Sequence, residues 1–271
     1  MDKLIFDIGM HTGKDAEFYL KKGFKVIAVE ANSELIEKAK IKFAKEIEKG
    51  YLTLIDKAIS SESDSNITFY INNEKDDWGT INPDWNRSMN NNYISKTVST
   101  ICLEDLIKQY GVPYYIKIDI EGADVLCLKS LINQDHLPEH LSIELLTPNN
   151  LAGKKVNSLE IISYLYVLGY RKFTIVDQSK NHNIICPFPS QEGDYVNFSF
   201  DGETSGLFGK ELTEPIYSLD EVSKLYLDYF YFNKQNLSVP KWYSKFLCPT
   251  KKNNQLSVFH ENGWFDLHVS K

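Results

Sequence analysis

The feature that most constrains this chain is an apolar run ending in a glycine-flanked turn, close to the start of the sequence. Residues 4–8 form the run, Gly9 and Gly13 flank the turn, and residues 14–22 mix polar and apolar residues as a helix does. A second apolar run stops at Glu30, 21 residues after Gly9. Strand, glycine turn, helix, strand and terminal acid predict the nucleotide-binding half of a doubly wound α/β fold.

The residues inside the turn discriminate between nucleotide ligands. A dinucleotide fingerprint needs Gly-x-Gly-x-x-Gly so that pyrophosphate reaches the helix N-terminus, but Met10 and His11 occupy that loop. Asp7, just before the turn, would repel a pyrophosphate, whereas its carboxylate suits a ligand with a cationic end. We therefore favour S-adenosylmethionine, with Glu30 binding the ribose hydroxyls, over a dinucleotide or an ordinary turn without a ligand.

Acidic residues accompany two further apolar runs. Asp119 lies near the end of the run 114–120 and Glu121 follows it, while Glu144 lies near the end of the run 141–146. In open α/β sheets the ligand lies beyond the carboxyl ends of the strands. These three acids are therefore the candidates for the chemistry of the site.

With these segments identified, the chain resembles the FkbM-type S-adenosylmethionine-dependent methyltransferases. The matching segments occur in the family's order across residues 4 to about 145: FDIGMHTG, VIAVEANSEL, LIDKAIS, ICLEDLIKQYGVPYY, IKIDIEGAD and LSIEL. The later SGLFGKEL and GWFDLH segments resemble a subset of the family. The resemblance implies a doubly wound, mostly parallel, seven-stranded Rossmann-like (class I) methyltransferase sheet with an antiparallel last hairpin and a C-terminal extension.

The resemblance also implies which residues bind the cofactor. They belong to the turns after the first three strands and to the strand that carries Asp119. The predicted set is Asp7, Gly9, Met10, His11, Gly13, Glu30, Ala31, Asn32, Asp56, Lys57, Ala58 and Asp119. His11 stands where the family usually has asparagine or another small polar residue, so its role as a base or acceptor contact is left open against simple packing of the turn.

The acids allow two interpretations. In the first, Asp119, Glu121 and Glu144 bind Mg²⁺, a hard cation that carboxylates suit. In the second, Asp119 faces the amino group of the cofactor, and Glu121 or Glu144 orients or deprotonates the acceptor. We favour the second interpretation, while Glu121 could also cap the helix that begins near Ala123. The predicted catalytic residues are therefore Asp119, Glu121, Glu144 and His11.

The acceptor is expected to meet a long polar segment and the C-terminal part of the chain. Residues 72–96 are rich in asparagine and predict a loop, and long ordered loops are often functional. Strand and helix patterns alternate up to residue 176, which predicts a core at 1–176 and an extension at 177–271 that covers the acceptor site. The predicted acceptor contacts are Trp78, Gly79, Thr80, Trp85, Ser205, Phe208 and His268.

Composition excludes several classes of partner. The net charge of −7 and a pI near 5.5 argue against nucleic acid, which selects basic surfaces. The chain has no apolar run of the length that spans a membrane and no leader before the first strand, so we expect a soluble, cytoplasmic protein. A homo-oligomer is left open.

These observations predict an O-methyltransferase that acts on a hydroxyl of a sugar, in the form of a nucleotide-activated sugar for a surface polysaccharide. The sugar is favoured because the expected acceptor region mixes Trp and Tyr with many Asn and acids. A polyketide-type natural product is the alternative acceptor, and a non-catalytic binding module with the same fold is the alternative class. N-methylation is disfavoured because Asp119-Ile120-Glu121-Gly122 replaces the Asn/Asp-Pro-Pro-Tyr-like motif that it would need.

Overall fold

The computed structural model describes most of the chain. The described residues are 3–72, 79–82, 92–132, 134–145, 158–201, 204–233, 258–259 and 263–271, with the backbone alone for 229–233. Trp78 and Trp85 lie outside them. No helix in these ranges is long and apolar enough to cross a membrane.

The described elements alternate between strands and helices over much of the chain. The strands are β1 (Leu4–Ile8), β2 (Lys25–Glu30), β3 (Leu52–Asp56), β4 (Ala58–Ile59), β5 (Asn66–Asn72), β6 (Tyr93–Ile101), β7 (Tyr115–Ile118), β8 (His140–Leu145), β9 (Lys172–Asp177) and β10 (Phe265–Ser270). The α-helices are α1 (Lys14–Lys21), α2 (Ser33–Lys42), α3 (Ala44–Glu48), α4 (Leu103–Tyr110), α5 (Asp124–Leu131), α6 (Ser158–Val167) and α7 (Leu219–Asn233). Short 3₁₀ helices cover Gln178–Asn183 and Gly209–Glu211.

Seven of the strands form the main sheet, in the order β3-β2-β1-β7-β8-β10-β9. The first five are parallel, and β10 runs antiparallel to both β8 and β9. This order and the antiparallel strand near the edge confirm the predicted class I methyltransferase sheet. A smaller sheet has the order β4-β6-β5.

The two faces of the main sheet differ in chemistry, because neighbouring side chains on a strand point to opposite faces. One face packs Phe6, Ile116 and Leu267 against an apolar core that includes residues of α4, α5, α6 and α7. The other face carries buried polar groups, including Asp7 and Lys117, which are register partners across β1 and β7. The polar groups of the site therefore lie on one face of the sheet.

The sequence pattern predicts a helix from Ser33 to about residue 47, a strand over 52–59, a loop over 72–96 and a strand over 195–200, and the structure differs at each of them. The helix expected from Ser33 to about residue 47 breaks at Phe43, whose non-helical backbone (φ −109°) lets its ring pack into the core. The strand expected over 52–59 divides at Lys57, because residues 58–59 pair with β6 in the smaller sheet. Residues 93–96 form part of β6 instead of a loop, because β5 supplies their hydrogen-bonding partners. Residues 195–200 are irregular, because no strand of the described chain pairs with them.

The C-terminal segment takes part in the main sheet. β10 lies between β8 and β9 in the sheet, although it comes long after β9, which ends at Asp177, in the chain. The boundary proposed at residue 176 stays a prediction, but residues beyond it complete the sheet. The described residues 184–201 and 204–212, here called the linking segment, pack against Phe18 of α1 through the rings of Phe198, Phe200 and Phe208, with centroids 5.2, 4.8 and 6.3 Å from that of Phe18.

A buried ion pair connects this segment to the end of α1. Lys22 Nζ lies 3.0 Å from Glu211, and both side chains are almost fully inaccessible. Glu211 also accepts hydrogen bonds from the Ser190 hydroxyl (2.8 Å) and from the backbone N–H groups of Gln191 (3.0 Å) and Glu192 (3.2 Å). The pair therefore anchors the linking segment to the nucleotide-binding half.

We expect Lys22→Met to destabilise the protein by about 3–5 kcal/mol, since it leaves the Glu211 carboxylate buried without its counter-ion. Lys21→Met is the matched control, because the neighbouring Lys21 makes an exposed ion pair with Glu17, and such a pair contributes about 0–1 kcal/mol. Urea unfolding monitored by tryptophan fluorescence measures both. Equal losses in the two variants would contradict the anchoring role.

Candidate active site

The turn after β1 packs tightly against the end of β7. Gly9 has φ +85°, and a Cβ on it would overlap the carbonyl oxygen of Asp119. The N–H groups of Gly9 and Met10 both donate to the carbonyl of Val29, at 3.0 Å. Glycine at this position therefore allows three strands to converge on the predicted cofactor site.

Glu30 connects the first two turns of the predicted cofactor site. Its Oε2 accepts the backbone N–H of His11 and its Oε1 accepts that of Asn32, each at 2.8 Å. Burial raises the pKa of Glu30, and these two hydrogen bonds partly offset that effect. Because a carboxylate has about four acceptor positions, Glu30 keeps capacity for the two hydroxyls of a ribose.

The other predicted cofactor residues of the second and third turns lie at the same edge. Asn32 caps α2 by accepting the N–H of Glu34 at 3.1 Å, and Ala31 lies between it and Glu30. Asp56 accepts a hydrogen bond from the Ser33 hydroxyl at 2.9 Å, and it pairs in register with Glu30. Lys57 forms an ion pair with Asp64, and Ala58 is buried at the start of β4. The resemblance implies that Asp56, Lys57 and Ala58 contact the adenine, and the register of β2 and β3 places Asp56 next to the predicted ribose contact, Glu30.

A buried lysine, which the sequence analysis missed, lies at the centre of the site. Lys117 Nζ lies 3.6 Å from Asp7, 3.5 Å from Asp15 and 3.6 Å from Asp119. It also donates a hydrogen bond to the carbonyl of Gly9 at 2.9 Å. A lone lysine within a buried apolar strand is the sequence signal that could have identified it.

The charges around Lys117 depend on each other. Burial disfavours its charged form, but the carboxylates of Asp7, Asp119 and Asp15 outweigh burial and hold its pKa above the ordinary value. Burial raises the pKa of Asp7 to about 7, against the opposing effect of Lys117. Asp7 is fully buried and lies beside this ammonium, so a direct contact between Asp7 and the cationic end of the cofactor stays a prediction.

The three acids predicted to be catalytic come together. One carboxylate oxygen from each of Asp119, Glu121 and Glu144 lies within 4.8 Å of the other two. Burial and the charges of Glu121 and Asp119 raise the pKa of Glu144 well above its ordinary value. We call these residues the acid cluster.

The loop that carries Glu121 is fixed by two side chains. Glu121 has φ +51°, a left-handed conformation that is uncommon for residues other than glycine. Asp124 accepts the N–H groups of Ile120 (3.1 Å) and Gly122 (3.0 Å), and the Thr80 hydroxyl donates to the carbonyl of Glu121 (2.7 Å). Asp124 was missed by the sequence analysis, although an acid in the first turn of a helix often binds N–H groups there.

The predicted acceptor residues 79–80 reach this loop. Thr80 and Tyr70 exchange backbone hydrogen bonds at 2.8 and 3.0 Å, which places the segment next to β5. Gly79 packs against the ring of Phe69, where a Cβ would clash. The structure thus brings Thr80 to the acid cluster.

The predicted C-terminal acceptor residues divide into two groups. The N–H of Ser205 donates to both carboxylate oxygens of Asp15, at 3.0 and 3.2 Å, which connects it to the Lys117 network. Phe208 is fully buried and stacks on Tyr115 with the ring centroids 4.6 Å apart. The structure does not bring Phe208 to the acid cluster, because its ring packs into the core beside Tyr115.

His268 lies nearer the amino end of β8 than the acid cluster does. It lines a pocket of about 150 Å³ with His140 and Lys172, the first residues of β8 and β9. Its register partner in β8 is Ser142, two residues before Glu144. Burial, followed by the charge of His140, lowers the pKa of His268 to about 3, so the imidazole is neutral. Because β10 is antiparallel to β8, His268 lies two residues further from the carboxyl end of β8 than Asp266, the register partner of Glu144.

His11 contributes a backbone contact to the site. Its backbone has φ +51°, and its N–H donates to Glu30. The turn therefore depends on the conformation of this residue, while a catalytic role of the imidazole stays a prediction.

Comparisons with known proteins agree with this geometry. The family model described as the methyltransferase FkbM domain matches residues 7–172, more than half of the chain. No curated protein matches the chain.

Three of the solved structures to which this chain is similar are methyltransferases of low sequence identity. A precorrin-6y C5,15-methyltransferase from Geobacter metallireducens has 9% identity, covers 100% of this chain and 80% of its own, and gives a TM-score of 0.40. A SAM-dependent methyltransferase from Archaeoglobus fulgidus has 12% identity, with 99% and 86% covered and a TM-score of 0.39. A methyltransferase from Streptococcus mutans, in complex with SAH, has 12% identity, with 71% and 84% covered and a TM-score of 0.36.

The family match identifies the protein, and the order of strands in the main sheet agrees with it. The solved structures do not carry this conclusion. The matched residues begin at Asp7 and extend through the glycine turn, Glu30 and the acid cluster. The chain therefore belongs to the FkbM methyltransferase family, as its motifs predict, and its methyl donor is S-adenosylmethionine.

Proposed function

We propose that this methyltransferase transfers the methyl group of S-adenosylmethionine to a hydroxyl of a sugar. The acceptor is a nucleotide-activated sugar for a surface polysaccharide, and the reaction takes place in the cytoplasm. The observation that carries the proposal is the acid cluster, because three carboxylates with oxygens within 4.8 Å offer several acceptors to hydroxyl groups.

The position of the acid cluster supports a role in the chemistry. It lies at the carboxyl ends of β7 and β8, the same sheet edge as Glu30 at the end of β2. Methyl transfer forms a bond from the acceptor oxygen to the methyl carbon, breaks the bond from that carbon to sulfur, and releases the hydroxyl proton. The protein must align the two reactants and assist the loss of that proton.

The character of the described surroundings favours a sugar over a polyketide-type acceptor. Thr80 and the three carboxylates are polar, and a polyketide would need a larger apolar surface around the reacting hydroxyl. The acidic net charge of −7 agrees with a small-molecule acceptor and opposes nucleic acid. The polyketide acceptor and a non-catalytic binding module are alternative outcomes of the tests below.

Binding of the ribose by Glu30 can be tested with a modified ligand. Because Glu30 also holds two backbone N–H groups, a Glu30→Ala variant alone would confuse loss of the turn with loss of the contact. We expect wild-type protein to bind S-adenosylhomocysteine about 10- to 100-fold more tightly than its 2′-deoxy analogue, because a hydrogen bond to a charged group contributes about 1.5–3 kcal/mol. Glu30→Gln should reduce this ratio.

Isothermal titration calorimetry measures all four affinities, with NAD as the negative control. An unchanged ratio in the Glu30→Gln variant would place the ribose elsewhere. Binding of NAD instead of S-adenosylhomocysteine would remove the proposed function altogether.

The acceptor can be tested by measuring S-adenosylhomocysteine production with a panel of nucleotide sugars and a panel of polyketide alcohols. We expect turnover with a nucleotide sugar, and we expect Glu121→Gln to lower kcat by about 10²-fold or more, as the loss of a group that assists proton transfer does. Glu37→Gln, at an exposed glutamate on α2, is the control and should keep wild-type kcat.

The affinity for S-adenosylhomocysteine should change little in Glu121→Gln, which separates catalysis from cofactor binding. Turnover with polyketide alcohols alone would establish the alternative acceptor. Cofactor binding without turnover on either panel would favour the binding module.

A further inference from the structure

The acid cluster has the spacing of a cation site. Mg²⁺ and similar cations bind oxygen ligands at about 2.1 Å in octahedral geometry, so neighbouring ligands lie about 3 Å apart and opposite ligands about 4 Å apart. The oxygens of Asp119, Glu121 and Glu144 lie within 4.8 Å of one another, and all three residues are partly exposed. Small side-chain movements would therefore bring them to coordination distance while leaving positions for water or an acceptor oxygen.

A second observation, outside the cluster, also calls for a cation. Asp266 lies directly opposite Glu144 in the antiparallel pair of β8 and β10, and it is only 1% exposed. Among the described residues, Asp266 Oδ1 and Glu144 Oε2 are both buried without a hydrogen-bonding partner. Because register partners share one sheet face, the side chains of Asp266 and Glu144 lie next to each other.

Burial and the neighbouring acids oppose the ionisation of two carboxyl groups at this end of the sheet. Burial first, and then the charges of nearby acids, raise the pKa of both Glu144 and Asp266. Lys117 is the nearby cation among the described residues, and it is already shared by Asp7, Asp15 and Asp119. A buried carboxyl group without a counter-ion tends to keep its proton, and a bound cation would supply the positive charge that these groups lack.

We propose that Asp119, Glu121 and Glu144 bind one divalent cation, Mg²⁺ or Mn²⁺. The all-carboxylate ligand set suits such hard cations. The role of the ion rests on the proposed function: it binds the acceptor hydroxyl, lowers its pKa, and the released proton leaves to water. The three acids then act as ligands, which revises the preference for direct deprotonation by Glu121 or Glu144.

Binding of Mn²⁺ to the whole protein, without cofactor or acceptor, tests the site directly. Electron paramagnetic resonance of free Mn²⁺ should show one ion bound per chain, displaced by Mg²⁺. We expect Glu144→Gln and Glu121→Gln each to weaken binding at least tenfold, whereas Glu37→Gln should bind as wild type does. Absence of binding to wild type, or wild-type affinity in Glu144→Gln, would overturn the proposal.

Thermal unfolding distinguishes a cluster that binds a cation from a cluster whose acids only repel each other. In EDTA, Glu144→Gln should be at least as stable as wild type, because it removes a buried carboxyl group whose ionisation the neighbouring acids oppose. MgCl₂ should raise the unfolding temperature of wild type but not that of the variant. If MgCl₂ leaves wild type unchanged, the acids only repel each other and the proposal fails.

The two proposals fail separately. A protein that binds Mn²⁺ at the cluster but methylates no sugar contradicts the proposed function alone. A protein that methylates a nucleotide sugar at full rate in EDTA and binds no Mn²⁺ contradicts the cation site alone.

Discussion

The ammonium of Lys117 is the group on which the arrangement of this site depends. It lies between three aspartates that come from β1, from α1 and from the end of β7, and it also binds the turn at Gly9. Without it, these carboxylates would have to become neutral or reach water, since ionised groups are not stable in an apolar interior. A single charge therefore joins the start of the nucleotide-binding half to the strand that carries the chemistry.

Much of the fold could be predicted because the relevant signals are local. The run 4–8 with its glycine turn, and the acid that ends β2, identify the first βαβ unit, and repeated alternation extends the parallel sheet. β6 was missed because its polar residues lack a buried strand's pattern, and pairing with β5 stabilises it instead. The break at Phe43 was missed because it depends on where that ring packs.

The candidate site was predictable where strand ends decide position. Asp119, Glu121 and Glu144 come together because the carboxyl ends of β7 and β8 are neighbours. Phe208 and His268 could not be placed in this way, because their positions depend on how the linking segment packs and on the antiparallel register of β10. The position of Glu30 at the end of an apolar run also does not reveal that each of its carboxylate oxygens accepts a backbone N–H group.

The position of β10 has a consequence for how the chain folds during synthesis. β8 and β9 pair with β10 rather than with each other, and β10 is made long after both. A nascent chain that has formed β1, β2 and β3 must therefore keep the facing edges of β8 and β9 unpaired until residues 265–270 leave the ribosome. Unpaired strand edges promote aggregation, so this half of the sheet is the part of the nascent protein that most needs protection by a chaperone.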